Sequence, residues 1–367
     1  MRASFSEWSE RQADRLFVLP AVIVILAFSI FPLLLSAYLS VSRFKLAAGG
    51  YEIKFIGWLN YKKLLFGSEQ FHFVGRFASV PVWCWVALAL LAWWIGRAML
   101  LYFRSRRVSV LGLVGRLISV VTILGVALLF ATTLGGGGQL GSAGVTVLYV
   151  VVGVAIQFGI GLGLALLCAQ HIHGRAFFRL VFFLPLMVTP VGIAYAFRML
   201  ADMTQGPLSP VWRGLGLGAF SWASGAWSAR IVVMVGDAWQ WIPFIFIVML
   251  AAIESQSKEQ LEAASIDGAT FWQRFRDIIW PEIAPVAATV VLIRMIEAFK
   301  IIDLPNILTN GGPGIATESM TLHSFIAWRT LDLGGSSAVA YMLLFLSTVF
   351  SVSFFNLVIL PMRARRQ

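Results

Sequence analysis

Between Glu259 and Pro281 the chain reads Glu259-Gln260-Leu261-Glu262-Ala263-Ala264-Ser265-Ile266-Asp267-Gly268-Ala269-Thr270-Phe271-Trp272-Gln273-Arg274-Phe275, then runs on to Ile278 and Pro281. Glu259 to Ser265 are mostly strong helix formers, and Gly268 stands where a chain reversal needs positive φ or a close approach. Phe271, Trp272 and Phe275 repeat at helical spacing. The expectation is an amphipathic helix, a glycine break, and an aromatic helix stopped by proline. Such a face, carried on a polar loop, needs a protein partner or the bilayer surface, so its chemistry is recognition. Further on, Arg294, Glu297, Lys300 and Asp303 recur every third residue with alternating sign inside an apolar run, and Asn306 and Asn310 extend the polar series. A charge inside a membrane costs at least about 2.5 kcal/mol, so these groups should face a cavity or one another. Residues three apart drift around a helix by about 60°, so all four cannot share one narrow face, although neighbours can pair. Internal salt bridging and the lining of a polar path both remain open.

Other reactive residue types form no catalytic set. Cys84 and Cys168 lie inside apolar runs and supply neither a disulfide framework nor a metal site. His171 and His173 stand two apart in a basic loop without carboxylate or cysteine companions, which argues against a metal there. The glycine run from Gly135 to Gly138 is a flexible loop and no phosphate cradle, because no Gly-Lys-Ser/Thr follows it. His-Glu-x-x-His and Gly-x-Ser-x-Gly are absent, which weighs against a membrane-bound enzyme. Two similar halves with paired broken helices, the mark of many secondary transporters, are not found.

The elements that must position these residues follow from composition. With 59% hydrophobic and 12% charged residues, against roughly 25% charged in soluble domains, most of the 367-residue chain has lipid for its solvent. Stretches of about twenty apolar residues suit helices that cross about 30 Å of hydrocarbon, and no barrel-like alternation appears. The fold class expected is all-α and polytopic. Spans are placed at Leu16 to Val41, Phe77 to Tyr102, Leu117 to Leu134, Ala143 to Ala169, Leu180 to Ala201, Ile231 to Ile253, Pro285 to Ile307 and Ser337 to Leu360. The first is too long for a signal-peptide core and reads as a retained helix. Eight spans put both termini on one side, and the positive-inside tendency makes that side cytoplasmic. Arg2, Arg11 and Arg15, the Arg104, Arg106, Arg107 and Arg116 loop, the Arg175 and Arg179 loop, the loop of Lys258, Arg274 and Arg276, and Arg363, Arg365 and Arg366 all agree. The linker carrying Arg43, Lys45, Lys54, Lys62, Lys63 and Arg76 disagrees, and five segments outweigh one. The net charge of +11 is therefore read as topology and anionic-lipid contact, with no nucleic acid as partner. Gly159 and Gly163, with Gly161 and Ala165 offset by two, offer small faces for close helix contact.

Glu262-Ala263-Ala264, three residues, Gly268, nine residues, then Ile278 and Pro281 resemble the EAA loop of type I ABC importer permeases, with Trp280 where leucine is usual. Phe55-Ile56-Gly57-Trp58-Leu59-Asn60-Tyr61, Gly174-Arg175-Ala176-Phe177-Phe178-Arg179 with Leu184-Pro185, and Asp303 with Leu308-Thr309-Asn310-Gly311-Gly312-Pro313 and Thr317 resemble the carbohydrate-uptake branch, the maltose-type sugar permeases. Ile302 stands where that branch has phenylalanine. The likeness covers the chain through about Lys62 and nearly everything from the fourth span onward.

The resemblance implies a domain plan: a cytoplasmic segment 1–15, the first helix with an external linker 16–76, an extra hairpin 77–142, a core 143–360 holding the cytoplasmic loop 254–284 between the sixth and seventh spans, and a tail 361–367. It implies a multi-pass subunit of a bacterial plasma (inner) membrane importer for a sugar or sugar derivative. The partners implied are a second permease subunit, two ATPase subunits and a periplasmic or extracellular solute-binding protein. ATP and Mg are expected on the ATPase subunits, with no cofactor or catalytic residue in this chain. Glu262, Ala263, Ala264, Asp267 and Gly268 are the expected ATPase-coupling residues. Glu297, Lys300, Asp303, Asn306, Trp239 and Trp241 are candidates for the substrate path, with Gln157 and Gln240 weaker ones. Tryptophan stacks on sugar rings but also anchors helices at the interface, and with fourteen in the chain anchoring is the simpler reading.

Overall fold

The computed structural model describes residues 17–47, 49–103, 110–135, 137–170, 174–216, 221–359 and 362. Arg2, Arg11, Arg15, Arg104, Arg106, Arg107, Arg363, Arg365 and Arg366, with His171 and His173, lie outside the described residues, as does segment 1–15. In chain order, with a further short helix Ser209–Gly214 left unlabelled, the elements are α1 (Phe17–Ser40), β1 (Ser42–Ala47), β2 (Gly50–Phe55), α2 (Leu59–Phe66), α3 (Gln70–Phe73), β3 (Gly75–Arg76), α4 (Val82–Phe103), α5 (Val110–Thr133), β4 (Gln139–Leu140), α6 (Ser142–Cys168), α7 (Arg175–Phe183), α8 (Pro190–Ala201), α9 (Ala226–Glu254), α10 (Lys258–Ile266), α11 (Phe271–Ala298), α12 (Asp303–Thr309), α13 (Met320–Arg329) and α14 (Leu333–Ile359). Among the described residues, α1, α4, α5, α6, α9, α11 and α14 are long and apolar enough to cross a bilayer. The fold is all-α apart from two small two-stranded sheets.

The expected fifth span is not one helix. Ala176–Met187 and Pro190–Ala201 meet at a bend of 101°, and only when this broken pair counts as one span does the number reach eight. Proline pushes the residue before it out of the helical region, and Thr189 is extended, at ψ 146°. Its side chain then caps α8 by accepting from the Gly192 amide.

The seventh span also departs from expectation. It begins at Phe271 rather than Pro285, and it ends at Ala298. Pro281 does not stop it, because Phe275–Ile279 winds as a π-helix just ahead of the proline, and such a wider turn tolerates a missing N–H. Phe299–Ile302 then leaves the helix, so Arg294 and Glu297 sit on α11 while Asp303 opens α12. The four charges therefore do not share one helix.

The chain divides into two compact units. One holds the residues through Lys63 and Ser324–Met342. Its basic linker is folded: β1 and β2 pair antiparallel, with Ser42 opposite Phe55 and Ala47 opposite Gly50. Asn60 Nδ2 donates to the Ser40 and Ser42 carbonyls at 2.9 and 3.0 Å, and Tyr61 donates to Ser40 Oγ at 2.8 Å. The Asn-Tyr element thus fastens α2 to the end of α1 and the start of the hairpin.

The other unit, Leu64–His323 with the residues from Leu343, has its core where α6, α9 and α11 meet. Ala165 and Cys168 pack there against Ile245, Phe246 and Met249 of α9 and Ile283 and Ala287 of α11. Only one of the two glycine faces is used. A Cβ on Gly161 would lie 2.8 Å from Ile245 Cγ2 and 3.3 Å from the Ile242 carbonyl, whereas Gly159 and Gly163 face open space. Within the same unit α5 lies on the end of α14, where a Cβ at Gly115 would strike the Asn356 amide.

Overpacking a tight helix contact costs about 1–3 kcal/mol. Gly161→Leu is expected to lower the melting temperature of the purified protein by that equivalent, whereas Gly159→Leu leaves it unchanged; thermal unfolding in detergent checks the contrast.

Candidate functional site

α10 ends on a left-handed turn that the sequence dictates residue by residue. The Gly268 amide donates to the Ser265 carbonyl at 3.2 Å and the Ala269 amide to the Ala264 carbonyl at 2.9 Å, with Gly268 at φ +79°. Those paired bonds satisfy the last carbonyls of the helix, and they need a residue that tolerates positive φ. Space is not the reason for glycine here, because nothing lies within 4 Å of an added Cβ. Thr270 then opens α11 with a reciprocal cap, its hydroxyl accepting from the Gln273 amide while the Gln273 side chain accepts from the Thr270 amide.

The two sides of the turn are braced to each other and to the helices behind. Arg274 donates to Ser265 Oγ at 2.7 Å, buried Gln256 donates to the Ile279 carbonyl at 3.1 Å, and Arg179 of α7 pairs with Glu254 at the end of α9. Glu262, Ala263, Asp267 and Gly268 are exposed and Ala264 is half-buried. Ile266 is 87% exposed and Trp272 63%, large apolar area for a polar loop. Trp272 stacks on Phe275 with centroids 5.4 Å apart. Beside α10 opens a cavity of about 900 Å³ lined by Leu166, Gln170, Leu261, Glu262, Phe271 and Arg274 among others.

The charges further along fall into two groups. Arg294, only 1% exposed, does not pair with Glu297 on its own helix. It bonds Asp237 of α9 and donates through Nε to Gln157 of α6 at 2.7 Å; Gln157 in turn donates to Asp237 at 2.7 Å. Trp241 lies against the guanidinium, 4.6 Å from it, a contact that stabilises a desolvated cation. Glu297 and Lys300 instead pair with each other at 2.7 Å, 36% and 60% exposed.

A cavity of about 120 Å³ is lined by Asp237, Gln240, Trp241, Glu297, Lys300 and Asp303, among others. Four of the expected path residues thus come together: Trp241, Glu297, Lys300 and Asp303. Trp239 and Asn306 do not line this cavity, and Trp239 packs edge-on to Phe197 at 5.8 Å. Asp237 was not foreseen. Its signal was available, since a lone carboxylate in an apolar span needs a buried cationic partner.

The Gly-Gly-Pro loop is knotted to the same unit. Thr317 bonds Thr309 Oγ1 at 2.6 Å and donates to the Gly312 carbonyl at 3.0 Å, while buried Arg230 donates to the Ala316 carbonyl at 2.7 Å. Ser319 Oγ donates to the Ile301 carbonyl at 2.6 Å, which fixes the break between α11 and α12.

Removing one partner of a buried ion pair typically costs about 3–5 kcal/mol, because the other charge is stranded. Asp237→Ala is therefore expected to cut stability by that order, with Asp237→Ala/Arg294→Met losing less than Asp237→Ala alone. A double-mutant cycle in thermal or denaturant unfolding measures it.

The family model described as binding-protein-dependent transport system inner membrane component matches residues 159–362, over half of the chain. The trehalose/maltose transport system permease protein MalF of Thermococcus litoralis is 29% identical over 208 residues, covering 57% of this chain and 70% of that one. The probable starch degradation products transport system permease protein AmyD of Thermoanaerobacterium thermosulfurigenes is 30% identical over 216 residues, covering 56% and 70%. In fold, the chain is similar to a chain of a bacterial alginate ABC transporter solved with an alginate-bound periplasmic protein, with a TM-score of 0.61 at 16% identity over 95% of this chain and 94% of that one. The match takes in the C-terminal part of α6, the braced turn after α10, the buried Asp237–Arg294 pair and the Gly-Gly-Pro loop. The chain belongs to the family of inner membrane components of binding-protein-dependent transport systems, as a multi-pass permease subunit of an ABC importer.

Proposed function

We propose that this chain forms, with a second permease subunit, the translocation path for a sugar or sugar derivative, that a solute-binding protein delivers the cargo, and that two separate ATPase subunits drive transport. The observation that carries the reading is the exposed α10 turn: a rigid, braced projection with apolar Ile266 and Trp272 in the open beside a large cavity. Its exposed apolar area calls for a protein partner, and the ATPase subunit is the partner that the family needs. In this reading the turn and both termini face the cytoplasm of the plasma membrane, and ATP and Mg bind to the ATPase subunits.

Coupling of two sites needs a contact that differs between two states of the assembly. ATP binding closes the ATPase pair, the two docked turns are drawn together, and α9 and α11 carry that displacement to the cavity because each ends at the loop. Glu262, Ala263, Ala264, Asp267 and Gly268 form the docking surface. The polar group of Glu297, Lys300 and Asp303, with Trp241 as an aromatic wall, suits a hydroxyl-rich cargo. Maltose, trehalose and starch products in the names of the relatives support the sugar class.

Forcing a branched side chain to positive φ costs roughly 1–2 kcal/mol and reshapes the turn. Gly268→Leu and Glu262→Arg are expected to cut uptake at least ~5-fold, the lower end of ordinary coupling, without lowering the melting temperature of the membrane helices. Transport and ATPase rates of the reconstituted importer check this, and uptake by this chain in the absence of any ATPase subunit would overturn the assignment. Lys300→Ala is expected to raise the half-saturating cargo concentration for transport while leaving stability within about 0.5 kcal/mol, as for an exposed pair; uptake kinetics and unfolding on the same variant separate the two effects.

A further inference from the structure

Three side chains that line neither cavity converge between α3 and the start of α13. His72 Nε2 lies 2.8 Å from Glu318 Oε1 and 2.9 Å from Oε2, and His323 Nδ1 lies 3.2 Å from Glu318 Oε1. One nitrogen or oxygen from each residue falls within a 4.8 Å cluster. Glu318 and His323 are 5% and 8% exposed, and His72 is 31%. Glu318 Oε1 is buried and faces both rings without a well-aligned hydrogen bond from either. Ser142 Oγ stands 3.1 Å from His323 Nδ1, and Glu69 Oε2 stands 3.8 Å from the far nitrogen of His72.

A buried carboxylate that faces two imidazole nitrogens is a donor set that a shared cation can satisfy. The donor set selects the cation: two nitrogens and one carboxylate suit a borderline divalent transition metal, while magnesium and calcium prefer all-oxygen shells. Tetrahedral bonds of about 2.0–2.1 Å space the ligand atoms about 3.3 Å apart, close to the histidine–carboxylate separations of 2.8 and 3.2 Å, and all the ligand atoms lie within 4.8 Å of one another. Glu69 on the outer nitrogen of His72 is the carboxylate that commonly orients a metal-bound imidazole.

We propose that His72, Glu318 and His323 bind a zinc-class divalent transition-metal ion, with Ser142 or water in the fourth position, clipping α3 to the segment that leads into α13. No spacing in the sequence marks such a site, because His72 and Glu318 are 246 residues apart. The clip closes a loop of that length, which constrains the unfolded chain more than a short one does.

The test uses the full chain, free of any affinity tag, stripped with chelator and titrated with Zn²⁺ alone and with Co²⁺ alone. One tightly held zinc per chain, a visible absorption spectrum of four-coordinate Co²⁺, and a rise in melting temperature with zinc are expected. His72→Ala, on a short and partly exposed helix, should abolish all three, as should Glu318→Gln; Glu69→Gln should weaken zinc ~10-fold. His171→Ala/His173→Ala should change none of them. Zinc that binds no better to wild type than to His72→Ala, zinc lost with the His171/His173 pair instead, or equal stabilisation by Mg²⁺ would overturn the proposal.

Discussion

Arg294 cannot be hydrated where it lies, so the protein must supply everything water would have given it. Asp237 supplies the charge, Gln157 a carbonyl and Trp241 an aromatic face. Each comes from the neighbouring helices α6 and α9, and a slip of one helical turn in any of the three would strand a charge at a cost of several kcal/mol. The network therefore fixes the register of α6, α9 and α11 more stringently than apolar packing does, since an apolar side chain loses little by moving past another in a lipid-like interior. Gly161 lets α6 approach α9 closely enough for Gln157, one turn away, to reach both partners.

That register has consequences at both ends of the same helices. At one end α9 and α11 run into the loop that carries α10, and the Arg179–Glu254 and Gln256–Ile279 contacts bind the loop to them. At the other end α11 stops at Ala298, and the hydrogen bond from Ser319 to Ile301 holds the unwound residues in place. A polar break at membrane depth is tolerated where it lines a cavity, and the cavity bounded by Lys300 and Asp303 lies at this break. The α10 turn and the polar cavity are thus linked by one braced pair of helices, the turn at their loop end and the cavity at the far end of α11 and midway along α9. In the proposed coupling, a displacement at the turn would be carried to the cavity by these two helices.

The loop was legible from sequence because its determinants are local: helix formers, a glycine at the reversal and aromatic residues at helical spacing all act within a few residues. The number and order of spans were legible for the same reason, through apolar runs. Proline was misjudged in both directions. Pro190 breaks the expected fifth span into a bent pair, while Pro281 passes inside a helix, and what separates them is context: a capping threonine precedes the first and a π-turn precedes the second. Asn60 and Thr317 stood out as family signatures, yet their side chains are spent on the backbone of neighbouring segments, so these signatures report how loops are fastened. The lone carboxylate of Asp237 was visible in its apolar span, but its partners and the His72–Glu318–His323 cluster are brought together by the fold from distant positions, and periodicity carries no trace of such meetings.

The even alternation of sign along Arg294, Glu297, Lys300 and Asp303 suggests four equivalent charges, but burial divides their labour. An exposed pair such as Glu297–Lys300 contributes about 0–1 kcal/mol, so either member can exchange its partner for a passing hydroxyl or water at almost no cost. Arg294 and Asp237 have no such freedom, because each alternative partner would have to be as buried and as oppositely charged. The cavity therefore joins a fixed wall, made by Asp237, Gln240 and Trp241 of α9, to a labile wall made by Glu297, Lys300 and Asp303 around the break. In the proposed function, a path that admits a polar solute and then releases it would use both: rigid groups to keep its shape while the helices move, and weakly paired groups whose bonds to the solute are as easily broken as made.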